Sequence, residues 1–159
     1  MKYMSKKLFV TVGIVLIILI LIALVVKLGL DSPRVNYRDN QRKSALSATS
    51  IALELYFNEH GQYPGNDDLR VEMTEGQSCV TAQGEGNLFD VIGMGLRTDS
   101  DVERDYKYGV NKPQPDKYVL MATFDSEDRI PEDDLDGNIF GCDCNGLNYC
   151  LGKFKDMDI

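Results

Sequence analysis

The sequence predicts an α+β chain: an N-terminal transmembrane helix, then a head in which a polar α-helix packs on a small antiparallel β-sheet, closed by a disulfide-bonded, loop-rich C-terminus. Three observations carry this reading. A nearly unbroken apolar run occupies residues 8–26, a helical apolar stripe recurs over residues 45–57, and a period of two governs residues 106–124. The 159 residues suffice for one modest domain with an appendage. They divide as a cytoplasmic basic segment (1–7), a transmembrane anchor (8–27) and an extracytoplasmic domain (28–159).

Leu8 to Val26 is 19 residues, of which only Thr11 and Gly13 fall outside the apolar set. At ~1.5 Å rise per residue such a helix spans ~28 Å, close to the ~30 Å hydrocarbon core of a bilayer. It has no charge and no polar face on which to lie in the interface. A secretory signal would have an apolar region of ~7–15 residues ending at small residues. This run is longer and ends in Val25-Val26-Lys27-Leu28-Gly29, which favours an uncleaved anchor over a cleaved signal. Lys2, Lys6 and Lys7 precede it with no acid, so the positive-inside rule keeps the N-terminus cytoplasmic and exports the remainder.

The exported part is acidic and lean in apolar residues. Residues 28–159 carry 13 Lys and Arg against 25 Asp and Glu, a net charge of −12. About a third of the positions after the run are apolar, below the ~45–50% usual in soluble domains. A nucleic-acid binder needs a basic face against phosphate, and this composition excludes one.

Asp31-Ser32-Pro33 is expected to interrupt the helical pattern, because proline restricts the residue before it and removes a donor. A polar helix then runs from Asn36 to Glu59. Leu46, Leu53 and Phe57, with Ala45, Ala48, Ala52 and Tyr56 alongside, make a stripe that faces something flat. His60-Gly61 ends it and Tyr63-Pro64-Gly65 turns the chain away. A short helix is expected over residues 87–94. Tyr106, Tyr108 and Val110, then Tyr118, Leu120, Ala122 and Phe124, alternate about the loop 111–116, predicting a hairpin with one aromatic-rich face for the helix to cover. Residues 125–159 read as a loop-rich cap with room for one short strand.

Cys79, Cys142, Cys144 and Cys150 form an even set in the exported part, where small apolar-poor domains are commonly stapled. Four cysteines allow three pairings. Joining Cys142 to Cys144 would close a very tight ring, and of the two that remain, Cys144–Cys150, closing the loop 145–149, with Cys79–Cys142 is preferred, the connectivity staying open. A four-thiolate zinc site usually draws on C-x₂₋₄-C pairs, which C-x-C with two singletons fits poorly.

Nucleophile elbows, zincin helices, P-loops and dinucleotide fingerprints do not occur in the sequence. The single histidine, His60, sits where a helix dipole favours it as a C-terminal cap. The numerous carboxylates are spread as solvated charge, not paired on an apolar background. The expectation is a non-enzymatic protein with no small-molecule substrate.

Arg38-Asp39, Arg42, Leu46, Ala52-Leu53-Glu54-Leu55-Tyr56-Phe57 and Gly61-Gln62-Tyr63-Pro64, followed by the hairpin with Tyr118-Val119-Leu120 and Ala122, resemble the type IV pilins and, among them, the major pseudopilins of type II secretion. The resemblance implies a pilin-like head and a pseudopilin-like structural subunit or accessory of a type II secretion or type IV pilus machine, with the membrane and like subunits or machinery proteins as partners. The N-terminus departs from the pattern. Prepilins resemble one another in a basic leader ending in Gly and a Glu five residues into the mature chain. Lys6-Lys7 is followed by Leu8-Phe9-Val10 with no preceding Gly, and no acid occurs before Asp31. A second expectation is therefore a membrane-tethered extracytoplasmic binding module whose head does not polymerise.

A calcium expectation attaches to residues 132–143. Laid on the twelve-residue EF-hand loop, Glu132, Asp134 and Asp136 fall at positions one, three and five, Gly137 at the sharp turn and Asp143 at twelve. Glu at one is long, Asp at twelve is short, and no helix pair flanks the loop. The alternative is a solvated acidic turn. Major pseudopilins are similar in using a calcium-bound C-terminal loop.

Overall fold

The structure is a computed structural model that describes residues 2–70, 79–94, 99, 101 and 104–153, with the side chains of residues 2–9 and 26–32 outside the description. Helix α1 runs from Lys2 to His60. The chain divides into two compact units, Met1–Tyr37 and Arg38–Ile159.

The expected break at Asp31-Ser32-Pro33 does not occur: Pro33 lies inside α1. Proline in a helix interior costs about 3 kcal/mol through one missing bond and a local clash. That penalty is confined to one turn, and the helical hydrogen bonds on both sides outlast it. In the first unit, the large apolar side chains from Val10 to Val25 are exposed around the whole circumference of the helix. Among the described residues no helix is long and apolar enough to cross a membrane. The anchor expected over residues 8–27 includes Leu8, Phe9, Val26 and Lys27, which lie outside the described side chains.

In the second unit, the C-terminal part of α1 lies on a four-stranded antiparallel sheet of order β1-β2-β3-β6, formed by Val80–Thr81, Lys107–Val110, Tyr118–Thr123 and Asn148–Lys153. The short helix α2 is Leu88–Val91, and β4 (Asn138–Ile139) pairs with β5 (Cys142–Asp143) in a separate hairpin. The β2–β3 pairing joins Tyr108 to Leu120 and Val110 to Tyr118, in accord with the period of two. Those side chains, with Ala122 and Tyr149, meet Ala45, Leu46 and Leu53 of α1 in one continuous core.

The sheet has a second covered face, which alternation alone did not disclose. Val119 and Met121 point away from α1 and pack with Cys142, Cys144 and Cys150 under Leu135, Ile139 and Phe140. Five of the six residues of β3 are therefore buried. The C-terminal region supplies this cover, and it also supplies β6, a full edge strand beside β3 instead of a single short one.

Gly109 on β2 marks how closely the cover approaches. A Cβ there would stand 2.8 Å from the Phe140 carbonyl oxygen, 3.1 Å from Val119 Cγ1 and 3.2 Å from Cys142 Sγ. Gly109→Ala is expected to destabilise the head by about 1–3 kcal/mol, the usual cost of overpacking. Thermal unfolding of the detergent-solubilised chain checks this against Gly65→Ala, whose Cβ would meet only Pro115 Cγ at 3.8 Å. Equal melting temperatures for the two variants would disprove the close approach.

Candidate functional site

Three features position the side chains singled out by the sequence: a buried charge cluster under α1, a tyrosine cluster at the end of α1, and the disulfide-bonded acidic cap.

The charge cluster grows from the helical period. Asp39, Arg42, Leu46, Thr49 and Leu53 recur at three or four residues, so they share the buried face of α1, and all five are buried. Arg42 Nε and Nη2 donate to the two oxygens of Asp99 at 2.6 and 2.9 Å, a two-pronged bond, and Nη1 donates to Asp39 Oδ1 at 2.9 Å. Asp125, one residue past Phe124 at the end of β3, draws three arginines: Arg42 at 3.2 Å, Arg38 at 2.7 Å and Arg104 at 2.6 Å. Asp39 Oδ1 also accepts from the Asp125 N–H at 2.9 Å, while Asp39 Oδ2 is buried with no hydrogen-bond partner among the described residues. Burial alone would lift the carboxyls of Asp99 and Asp125. The bonds from Arg42 to Asp99 and from Arg38 to Asp125 outweigh it, and both carboxyls lie below their ordinary value. Burial likewise opposes charge on Arg42, and its acidic partners reverse that, raising it above the usual guanidinium range. Fixed charges of this kind clamp α1 to the end of β3 and to Asp99.

At the other end of the helix, Gly61 takes φ of 74° and its N–H bonds the Phe57 carbonyl at 2.7 Å, the left-handed stop expected there. His60 donates from Nδ1 to the Tyr56 carbonyl at 3.0 Å and stacks on the Tyr56 ring, a capping role. Tyr63 then turns inward, fully buried, against Phe57 and Tyr118. Its hydroxyl donates to Glu54 at 2.8 Å, and Tyr108 donates to the Pro64 carbonyl at 3.0 Å. The Tyr56 hydroxyl is pushed up to about 12 by burial and then by the Asp68 carboxylate beside it. A half-open cleft of about 590 Å³ lies between this turn and the β2–β3 loop, lined by Asn66, Asp67, Asp68, Asn111, Lys112 and Pro113 among others.

In the cap, Cys79 is bonded to Cys142 and Cys144 to Cys150, with Cα–Cα distances of 4.9 and 5.6 Å; no cysteine among the described residues is free. The favoured pairing is the one present, and a four-thiolate site is not.

The EF-hand-like alignment does not describe the local backbone. Gly137 adopts φ of 96°, the turn its position called for, but the chain beyond it does not curl on to Asp143. Ile139 pairs with Cys142 across a two-residue turn, Phe140-Gly141, both at positive φ, as tight hairpins require. Asp143 thereby sits on β5 opposite Asn138, and its Oδ1 accepts from Asn145 at 2.5 Å. Asp134 Oδ1 accepts from the Cys150 N–H at 2.7 Å. Glu132 and Asp136 are exposed. Among the described residues no three acidic, histidine or cysteine side chains stand together as a metal-binding group. Of the four carboxylates, Asp134 and Asp143 accept hydrogen bonds within the cap, and Glu132 and Asp136 face solvent.

Asp134 carries a consequence of its own. Burial raises its carboxyl, the bonds from Cys150 and Leu135 oppose this, and Asp136 and Asp133 add to it, for a net rise. A carboxyl raised on folding favours the folded state below its folded value and loses that advantage as pH rises through it. Asp134→Asn keeps an oxygen for the Cys150 N–H and removes the charge. It is expected to raise the melting temperature at pH 7, with the gain shrinking as pH falls toward the carboxylate range. A lower melting temperature of Asp134→Asn at pH 7, with added calcium raising that of the unmutated chain alone, would instead mark Asp134 as a ligand.

Asp99 and Asp125, the partners of Arg42, and Arg104, which bonds Asp125 beside it, escape a sequence reading. The signal that could have pointed to them is the N-terminal extension of the apolar stripe onto Asp39 and Arg42, which predicts buried charges and therefore partners. Comparison of the chain with protein-family models, with curated proteins and with solved structures found no match.

Proposed function

We propose that the chain is a membrane-anchored, non-enzymatic structural subunit or accessory of a type II secretion or type IV pilus machine. The observation that carries this reading is where the pilin-like residue string falls. Asp39 and Arg42 lie in the buried clamp, Leu46 and Leu53 in the core, and Tyr63 in the turn that locks α1 to the hairpin. Asp39, Arg42, Leu46, Leu53 and Tyr63 of that string are therefore residues that hold the helix on the sheet. The two disulfides fit an extracytoplasmic head, and the apolar run 8–26 supplies the anchor. A second reading, a tethered binding module that does not polymerise, is favoured by the missing Gly and Glu of the N-terminus.

Two measurements test the proposal. Protease added to spheroplasts should digest the head, and lysine-reactive cross-linking in intact membranes should give a ladder of multimers of the chain. A protected head overturns the topology. Cross-linking to a different protein alone, without self-multimers, favours the tethered module.

A further inference from the structure

Among the described residues of the second unit, three large apolar side chains are exposed: Ile51 at 64% and Leu55 at 60% on α1, and Leu147 at 38% in the loop between β5 and β6. Ile51 and Leu55 belong to one ridge of the helix with Lys43 and Ser47, spaced by four residues and all exposed. Between Asn40 and Asn58 the exposed positions of α1 include Lys43 and no carboxylate, and the ridge ends one turn past Leu55 at the exposed Glu59. On a chain whose exported part has a net charge of −12, that strip stands apart. The region around Leu147 has the opposite character. Asp143 is tied to this loop through Asn145 and Asn148, and Glu127 reaches toward Gly146. Glu127, Asp128, Glu132, Asp133, Asp136 and Asp143 are all exposed in the cap.

We infer that the Lys43-Ser47-Ile51-Leu55 ridge of one copy docks on the Leu147 loop of a second copy, with Lys43 facing the carboxylates of Asp143 and Glu127. This rests on the proposed assembly of like subunits and names its contact. Charge selects the arrangement. Cap against cap would bring six carboxylates onto six, and parallel helix against helix would bring Lys43 toward Lys43 and Glu59 toward Glu59. Helix against cap covers apolar with apolar and sets opposite charges at the rim, where they steer register. Because the two patches differ, the contact is heterologous and leaves each copy with one patch free for the next, which generates an open array and not a closed pair. The patch is small beside the ~800 Å² per partner of a stable free-standing interface, so the contact forms between copies that a shared membrane holds at high effective concentration.

The test uses the full chain in membranes, with a benzophenone amino acid in place of Ile51 and a second, isotopically labelled copy co-expressed. The expected product joins position 51 of one copy to residues 143–147 of the other. Leu147→Glu or Lys43→Glu should lower its yield at least fivefold without changing the melting temperature, since all three positions are exposed. A product joining position 51 to position 51, or to a different protein, overturns the inference. So does a yield unchanged by both charge substitutions. If lysine-reactive reagents still give self-multimers in those cases, the assembly reading stands and this contact alone fails. If neither chemistry joins two copies, both fall.

Discussion

Arg42→Met is expected to lower the stability of the head by about 3–5 kcal/mol, the cost of breaking a buried pair by removing one partner. The guanidinium is buried at 1% exposure and answers Asp39, Asp99 and Asp125 together. Methionine preserves much of the volume, so the loss comes from stranded carboxylates and not from a cavity. Asp99→Asn in the same chain should recover part of it, because the amide needs no counter-charge. The coupling between the two substitutions should fall within the ~0.5–3 kcal/mol seen for residues of one network. Additive effects would mean that Asp99 is not the principal partner. The pH dependence follows from the same groups. The carboxyls of Asp99 and Asp125 are lower in the folded chain than in the unfolded one. Their contribution is thus complete above the ordinary carboxylate range near ~4 and is lost as pH falls through the folded values. Acid should unfold the unmutated chain over that window, and Arg42→Met should have a shallower acid limb in a thermal-unfolding series.

Replacing both Cys79 and Cys142 by alanine is expected to cost about 4 kcal/mol on the loop-entropy argument, since the bond closes a loop with a sequence separation of 63. The bond also pins β1 and the hairpin β4–β5 to the same face of the sheet, where Cys142 is part of the second core. For a head of this size the melting temperature should fall by more than about 10 °C. Replacing Cys144 and Cys150, which close a separation of 6, should cost less, about 2 kcal/mol on the same argument. Both can be read from thermal unfolding in detergent. The reverse order would show that the smaller ring holds the cap and that chain entropy is not the controlling quantity.

Residue pattern by itself determined the parts of this protein that depend on local periodicity and chain chemistry. Leu46 and Leu53 declared a helix face, Tyr108, Tyr118 and Leu120 a hairpin, and Gly61 the end of α1, because each signal spans only a few residues. The cysteine pairing was legible only in part: sterics set aside one of three alternatives, and the fold chose between the other two. What only the tertiary structure decided is what lies opposite each element. Val119 and Met121 occupy positions that alternation assigned to no core, and they are buried because a cap reaching from Leu135 to Cys150 folds over them. Arg42 could be placed on the stripe, but Asp99 and Asp125 could not be matched to it across 57 and 83 residues of chain. The acidic loop shows the limit most plainly. Spacing alone allowed Glu132, Asp134, Asp136 and Asp143 to converge, whereas the pairing of Ile139 with Cys142 turned Asp143 onto a strand. Hairpin pairing between segments sets where each of these side chains stands, and side-chain order along the chain carries no record of it.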